Sequence, residues 1–301
     1  MLDVRRIWDA APHNAFTDLT WHDGEWFCVF REGEDHVSDD GKLRVVTSAD
    51  GATWSSAALL SSSEGDLRDA KISVTPDEGL MLGGAVRSTD DGPWVFRSLV
   101  WFSRDGRTWS EPLQVGDDNA WLWRFTWHRD AAYGFGYGCG EGDNFIQLYR
   151  SPDGRTFTKL TGKLLTDSYP NETQIVFGPD DTAYCLLRRD PDHGLIGTAA
   201  SPYTDWEWRD LGVRLGGPAL IRLADGRLVG CVRRYYDDPR YATALGWVDA
   251  AAGTYDEFLE LPSGGDTSYA GMVWCEDRLW VSYYSSHEEK TCIYLAQVTL
   301  P

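Results

Sequence analysis

Ser48-Ala-Asp-Gly-Ala-Thr-Trp54 has two further copies in the chain, Ser103-Arg-Asp-Gly-Arg-Thr-Trp109 and Ser151-Pro-Asp-Gly-Arg-Thr-Phe157. An alternating apolar strand precedes each copy, and the Asp-Gly pair supplies a tight turn. The aspartate can accept hydrogen bonds from the amides of its own turn, and glycine adopts a backbone shape that a Cβ disfavours. The repeat therefore predicts three hairpins of one kind, each closed by an aromatic residue that folds back onto the strands.

A second repeat indicates the number of units. A turn followed by an apolar strand occurs six times, and neighbouring copies lie 45 to 54 residues apart. Short strands at this spacing are typical of the four-stranded blades of a β-propeller. We therefore expect one all-β domain over residues 1–301, a six-bladed propeller of antiparallel blades. The last unit lacks a fourth strand, and residues 3–8 are expected to supply it and so close the ring.

Composition narrows the class of partner. The chain has 301 residues, 42% of them hydrophobic, and 31 glycines, which suit short strands and tight turns. Its formal net charge of −19 argues against nucleic acid or an anionic membrane as a partner, because both bind basic surfaces. Any anionic substrate must therefore meet a local cluster of arginines.

The chain shows no targeting or metal-binding pattern. No run is apolar enough for a signal core or a membrane span, so we expect a soluble protein, cytoplasmic, or secreted or periplasmic if a signal peptide has been removed. The six cysteines form none of the close pairs that zinc or redox motifs use. We expect no metal and no cofactor, and the sequence leaves the oligomeric state undetermined.

Polar residues recur at one phase of the expected inner strands, which line the axis of a propeller. Side chains at the same phase of successive blades converge on one place. The inner strands offer Asp18, Asp69, Trp121, Trp123, Arg124, Glu172 and Tyr269, and the second strands end in residues that include Arg31, Arg188 and Arg233.

The repeated heptapeptide resembles the Asp-box of the sialidase superfamily, with one residue fewer between Asp and Thr. The likeness extends to Asn171-Glu172, followed one hairpin later by Arg188, and to an arginine one blade on, Arg233 or its neighbour Arg234. Ser268-Tyr-Ala-Gly-Met272 is similar to the nucleophile strand of that superfamily. The resemblance implies an exo-acting, retaining glycoside hydrolase for sialic acid or a related acidic sugar.

The resemblance also implies roles. Tyr269 would be the nucleophile, Glu172 would draw off its proton, and Asp39 or Asp40, just before the first box, would be the acid/base. Arginine forks would hold the acid group, Asp69 would bind substrate, and Trp121 and Trp123 would form an apolar wall. Each residue also has a structural interpretation: Tyr269 in the core, Glu172 in an ion pair with Arg188, and Asp39 and Asp40 in a loop turn.

One departure bears on the substrate. Sialidases carry a first clamp arginine on the first inner strand, where this chain has His13 in the segment leading to Asp18. Either Arg31, Arg68 or Arg124 supplies the missing cation from another position, or the substrate lacks the usual carboxylate. Two other functions therefore stay open: a hydrolase or lyase for another acidic glycan, and a carbohydrate-binding propeller without turnover.

Overall fold

The computed structural model describes residues 2–88, 94–237 and 240–301. Within these ranges the chain forms 25 β-strands in six sheets, and neighbouring strands of each sheet run antiparallel. Each sheet is one blade, and the first strands of neighbouring blades contact each other around a common axis. The expected six-bladed propeller is confirmed. Nowhere in the described part of the chain is there a helix long and apolar enough to cross a membrane.

The chain begins with β1 (Leu2–Trp8), which belongs to the last blade. In blade 3 the first strand is interrupted and forms two short strands. Blades 1 to 3 contain, in chain order, β2 (His13–His22), β3 (Glu25–Gly33), β4 (Lys42–Ser48), β5 (Ser55–Leu60), β6 (Gly65–Val74), β7 (Leu80–Ser88), β8 (Phe96–Ser103), β9 (Leu113–Val115), β10 (Ala120–Leu122), β11 (Thr126–His128), β12 (Ala131–Gly138), β13 (Ile146–Ser151) and β14 (Thr158–Lys159).

The second half of the chain forms the other three blades with the same order of strands. Blades 4 to 6 contain β15 (Tyr169–Phe177), β16 (Ala183–Asp190), β17 (Leu195–Ala199), β18 (Glu207–Asp210), β19 (Leu215–Arg222), β20 (Leu228–Tyr235), β21 (Tyr241–Asp249), β22 (Thr254–Glu260), β23 (Thr267–Cys275), β24 (Arg278–Ser285) and β25 (Cys292–Val298).

The N-terminal strand closes the ring. β1 pairs antiparallel with β25, from Leu2 opposite Val298 to Trp8 opposite Ile293, and so forms the fourth strand of blade 6. The expected closure is confirmed. Because both ends of the chain share one sheet, the edge that an open array of blades would expose is covered.

Buried apolar side chains lie between neighbouring blades. One cluster, for example, joins Leu186 and Ile196 of blade 4 to Leu220, Val232 and Val248 of blade 5. Alternation of apolar and polar residues along each strand thus buries side chains against the adjacent blade. Packing of this kind holds the inner strands at fixed positions around the axis.

The repeated heptapeptide forms the hairpin that its sequence predicts. Asp50, Asp105 and Asp153 each accept hydrogen bonds of 2.8 Å from the amides two and three residues later. The indoles of Trp54 and Trp109 donate to the carbonyls of the turn glycines at 3.2 and 3.1 Å. The aspartate and the aromatic residue therefore hold the same turn from its two sides.

The corresponding turns of the fourth and fifth blades lack the full heptapeptide, and each keeps one half of this arrangement. In the fourth, Trp206 donates its indole N–H to the carbonyl of Tyr203 at 3.0 Å. In the fifth, Asp249 accepts the amides of Ala251 and Ala252 at 2.8 Å. Each of these turns keeps part of the sequence motif and the hydrogen bonds that belong to that part.

A glycine of the repeated heptapeptide also packs against the neighbouring blade. Gly106 of blade 2 has φ of 66°, and a Cβ at this position would overlap the ring of Phe27 in blade 1. Gly212 has a nearly equal φ of 68°, but a Cβ there would meet nothing within 4 Å. The two glycines share the backbone requirement and differ in packing.

We expect Gly106→Ala to lower the free energy of unfolding more than Gly212→Ala. Both variants place alanine in the left-handed region, at a cost of about 1–2 kcal/mol. Gly106→Ala must in addition displace Phe27, which adds about 1–3 kcal/mol. Equilibrium unfolding in guanidinium chloride measures the difference, and equal losses would contradict the proposed contact between blades.

Candidate active site

The innermost strands break their regular pairing at one common place. β2, β6, β15, β19 and β23 each carry a bulge two to four residues after their start, and the first strand of blade 3 is interrupted between β10 and β11. A bulge redirects the side chains of the extra residues. Phe16, Asp69 and Tyr269 at these bulges have positive φ values of 63°, 50° and 51°, which are rare outside glycine.

The bulges bring one residue from each blade towards the axis. The ring centroids of Phe16 and Trp123 lie 5.3 and 5.8 Å from that of Tyr269. Gly217 packs against the same ring, since a Cβ there would lie 2.8 Å from it. The six residues at these positions are Phe16, Asp69, Trp123, Glu172, Gly217 and Tyr269.

Tyr269 and Glu172 are in direct contact at the centre of this group. The tyrosine hydroxyl donates to Glu172 Oε1 at 2.5 Å, and Arg188 Nη1 donates to both the tyrosine oxygen at 3.0 Å and Glu172 Oε1 at 2.9 Å. The amide of Gly217 holds the other carboxylate oxygen at 2.9 Å. This geometry pairs a nucleophile with an adjacent base and with a cation that orients both.

Burial sets the protonation of the phenol. Burial raises the pKa of Tyr269 well above its usual value and the charge of Glu172 raises it further, while Arg188 and Arg233 lower it in part. The phenol is therefore neutral in the resting site. It can act as a nucleophile only if Glu172 accepts its proton as the new bond forms.

Asp69 is the second carboxylate of the pocket. It is 5% exposed, and its Oδ1 accepts no hydrogen bond from the described part of the chain. Burial raises the pKa of Asp69, the charges of Lys71 and Arg68 lower it in part, and the charge of Glu172 raises it again. A buried carboxyl group with a raised pKa and a free oxygen is suited to donate a proton.

Lys71 lies beside Asp69 on β6. Its ammonium nitrogen is 4.0 Å from Asp69 Oδ1 and 4.8 Å from the centre of the Trp123 ring, and the side chain is buried. Burial lowers the pKa of Lys71 to about 8, although Asp69 acts to raise it. Lys71 is thus the cation nearest to Asp69 among the ion pairs of the described residues.

A second polar cluster surrounds Asp266, just before β23. Its Oδ2 lies 3.0 Å from a ring nitrogen of His13 and 2.6 Å from one of His36. Its Oδ1 accepts from Arg233 at 3.0 Å and from the hydroxyl of Tyr284 at 2.8 Å. Burial acts to raise the pKa of Asp266, but the hydrogen bonds from the histidines and the charge of Arg233 outweigh it and hold the pKa well below its usual range.

His13, His36 and Asp266 are also the described residues whose ligand atoms are close enough to hold a metal ion, all within 4.8 Å. Two observations oppose this interpretation. The guanidinium of Arg233 lies 3.0 Å from the same carboxylate, and the second ring nitrogen of His13 makes no hydrogen bond within the described chain, although metal-bound histidines normally donate theirs. The donors fit a hydrogen-bond network better than a metal site.

The aspartates expected as the acid/base lie elsewhere. Asp39 is in the loop after β3, has a side chain 73% exposed, and pairs with Arg87 at 2.8 Å. Asp40 accepts the amide of Glu34 at 3.1 Å, and the hydroxyl of Ser38 lowers its pKa. Both make contacts of the loop-turn kind, one of the two roles that the sequence left open, and neither hydrogen-bonds to Tyr269 or Glu172.

The arginines considered as replacements for the first clamp position have partners. Arg31 is fully buried and donates to Asp66 at 2.8 Å. Arg124 donates to Asp18 at 3.0 Å and to the carbonyl of Ala270, so this pair connects blades 1, 3 and 6. Their contacts are those of residues that brace the propeller.

Arg68 and Trp123 lie at the pocket around Tyr269, whereas Trp121 does not contact that ring. Arg68 donates to Asp66 at 2.9 Å, and its guanidinium lies 5.3 Å from the centre of the Phe16 ring, at the edge of the pocket. Trp121 stacks on Phe96 and Tyr137, whereas Trp123 contacts the Tyr269 ring. Of the two tryptophans, only Trp123 contacts Tyr269, and its expected role as an apolar wall for a substrate stays a prediction.

The sequence analysis missed several residues that the structure brings to the pocket. Lys71 and Asp266 lie two and three residues from Asp69 and Tyr269, on or beside the same inner strands. The alternation of side chains along these strands was the available signal, but the bulges shift that alternation. The motif resemblance did not include these residues. The residues concerned are Lys71, Asp190 and Asp266.

No protein-family model matches the chain, and no curated protein sequence matches it. Solved structures do. A protein of unknown function from Dyadobacter fermentans superposes with a TM-score of 0.84 at 18% identity, over 98% of this chain and 99% of that one. The GH93 α-L-arabinofuranosidase of Fusarium graminearum, in complex with arabinobiose, gives 0.74 at 13% identity, over 97% and 96% of the chains.

A third similar structure is the sialidase of Trypanosoma rangeli in complex with 2,3-difluorosialic acid, described as a covalent intermediate. It superposes with a TM-score of 0.68 at 11% identity, over 95% of this chain and 54% of that one. The fold of this protein is therefore that of sialidases and GH93 arabinofuranosidases, and this chain spans about half of the sialidase.

Proposed function

We propose that this protein is a retaining glycoside hydrolase that removes a terminal sugar. The observation that carries the proposal is the hydrogen bond of 2.5 Å from the hydroxyl of Tyr269 to Glu172, with Arg188 bound to both. A binding propeller has no need of a buried nucleophile in contact with a base, so this geometry favours turnover over binding alone.

The first step forms a covalent glycosyl-tyrosine. The oxygen of Tyr269 attacks the anomeric carbon while its proton passes to Glu172, and Asp69 protonates the departing glycosidic oxygen. Arg188 donates to the tyrosine oxygen at 3.0 Å and so stabilises the negative charge that develops on it. The Trypanosoma rangeli sialidase of the same fold, whose complex is described as a covalent intermediate, supports this order of events.

The second step reverses the proton transfers. The carboxylate of Asp69 takes a proton from water, the water oxygen attacks the anomeric carbon, and the tyrosine oxygen leaves and recovers its proton from Glu172. Two displacements at one carbon retain its configuration. The enzyme returns to its starting protonation state.

The depth of the site supports action at a chain end. The side chain of Glu172 is 9% exposed, while those of the surrounding Asp190 and Asp266 are 21% and 25% exposed. Solvent access thus increases from Glu172 outwards, which favours a substrate that enters by one end. The acidic sugar expected from the sequence and a neutral one are both compatible with this shape.

We expect Tyr269→Phe to lower kcat/KM at least a thousandfold and Glu172→Gln about a hundred- to ten-thousandfold, since one loses the nucleophile and the other the base. A screen of 4-methylumbelliferyl glycosides of acidic and neutral sugars provides the assay, and NMR gives the anomer of the product. Tyr283→Phe is the matched control, because its hydroxyl binds the carbonyl of Pro262 away from the pocket. Full turnover by Tyr269→Phe, or an inverted product, would exclude the mechanism.

We expect Asp69→Asn to abolish hydrolysis of glycosides with poor leaving groups and to spare the first step for 2,4-dinitrophenyl glycosides. Such activated leaving groups depart without protonation. Asp39→Asn and Asp40→Asn should retain activity on both kinds of substrate. If one of these two variants carries the loss instead, the acid/base lies in the loop, as the sequence suggested.

We expect Lys71→Met to move the basic limb of the kcat/KM profile to higher pH by about one unit. Asp69 must be protonated in the first step, so activity falls as pH rises through its pKa. The charge of Lys71 lowers that pKa, and its removal therefore raises it. Lys71→Arg keeps the charge and should leave the limb in place; an unchanged limb in Lys71→Met would exclude the coupling.

A further inference from the structure

We infer that the sugar bound beside Tyr269 carries no carboxylate. The inference rests on the proposed function and specifies its substrate class as a neutral sugar. It follows from the partners of the cations in the pocket, because a carboxylated sugar needs a cation whose charge is not already balanced by the protein.

The carboxylate of Asp266 is already bound from four directions. His13 and His36 contact its Oδ2, and Arg233 and Tyr284 donate to its Oδ1. These donors come from β2, the loop after β3, β20 and β24, so four separate elements converge on one protein carboxylate. An internal anion therefore occupies the place that these donors create.

This internal anion lies next to the proposed nucleophile. The guanidinium of Arg233 is 5.1 Å from the centre of the Tyr269 ring, and the ring of Tyr284 is 6.0 Å from it. Phe16 contacts both tyrosines and His36, with ring centroids 5.1 to 5.4 Å apart. A substrate carboxylate held by Arg233 would have to lie close to the carboxylate of Asp266.

The other cations that face the pocket also contact carboxylates. Arg188 lies 2.9 Å from Glu172 and 2.7 Å from Asp190. Arg68 donates to Asp66, which Arg31 also binds. A second carboxylate introduced among these groups would be opposed by like charges with little water to screen them.

A neutral sugar meets a more favourable environment. Carboxylates are strong acceptors for hydroxyl groups, and the partly exposed carboxylates of Asp190 and Asp266 are available for this purpose. Phe16 and Trp123 supply apolar surface for a sugar face.

The first experiment compares substrates for the unmodified protein. Turnover is measured with 4-methylumbelliferyl glycosides of neutral pentoses and hexoses in both anomeric forms, of uronic acids and of sialic acid. We expect hydrolysis of at least one neutral glycoside and none of the carboxylated ones. Hydrolysis of carboxylated glycosides alone would overturn the inference and leave the proposed hydrolase intact.

The second experiment measures binding without turnover. The probe is the 2,3-unsaturated analogue of sialic acid, which retains the carboxylate, and titration calorimetry gives its affinity. We expect a Kd weaker than about 1 mM for the unmodified protein. Asp266→Asn removes the internal charge with little change of shape, and we expect it to bind the probe at least tenfold more tightly because Arg233 and His13 lose their anionic partner.

Tyr284→Phe is the matched control for this variant. It removes one hydrogen bond to Asp266 and keeps the negative charge, so the probe should bind it no better than the unmodified protein. Circular dichroism and thermal unfolding establish that both variants are folded, and if Asp266→Asn is not, the unmodified protein alone decides. Micromolar binding of the probe by the unmodified protein would overturn the inference. The absence of turnover with every glycoside would count against both the inference and the proposed function.

Discussion

The pairing of β1 with β25 is the contact on which the site depends. This pairing places the first and last strands of the chain in blade 6 and so holds blade 6 next to blade 1. Contacts of the pocket cross this seam: His13 meets Asp266, Thr17 donates to the carbonyl of Tyr269 at 2.9 Å, and Phe16 packs on the tyrosine ring. Without closure, β23, which carries Tyr269, would lack its neighbour on one side.

The site also depends on an irregularity of the innermost strands that recurs in every blade. A continuous strand alternates its side chains between two faces, and all of them would then lie between blades. The bulges and the break in blade 3 interrupt this alternation at one level of the axis, where they direct Asp69, Glu172 and Tyr269 into a common pocket. Backbone strain at positive φ is the cost, and it lies where chemistry is proposed.

The charged groups of the pocket are paired with one another. Removing a charge from water is costly unless a partner of opposite sign comes with it. Arg188 and Arg233 bring their own carboxylates, and the phenol between them stays neutral because burial raises its pKa. Arg188 and Arg233 thus have protein carboxylates as partners before any substrate enters, and this pairing is the basis of the substrate class inferred above.

The sequence by itself determined the fold, because turn chemistry and strand alternation are local. Asp50, Asp105 and Asp153 satisfy their own turns, and a spacing of 45 to 54 residues leaves room for four short strands per unit. It also identified Tyr269 and Glu172 as partners through a motif resemblance, and their contact in the structure agrees with that pairing. Only the tertiary structure shows which aspartate is buried beside them. Asp39 and Asp69 are the same residue type, but Asp39 lies in an exposed loop and Asp69 at a buried strand bulge. The pKa of a carboxyl group depends on its burial and on neighbouring charges, and these come from distant parts of the chain.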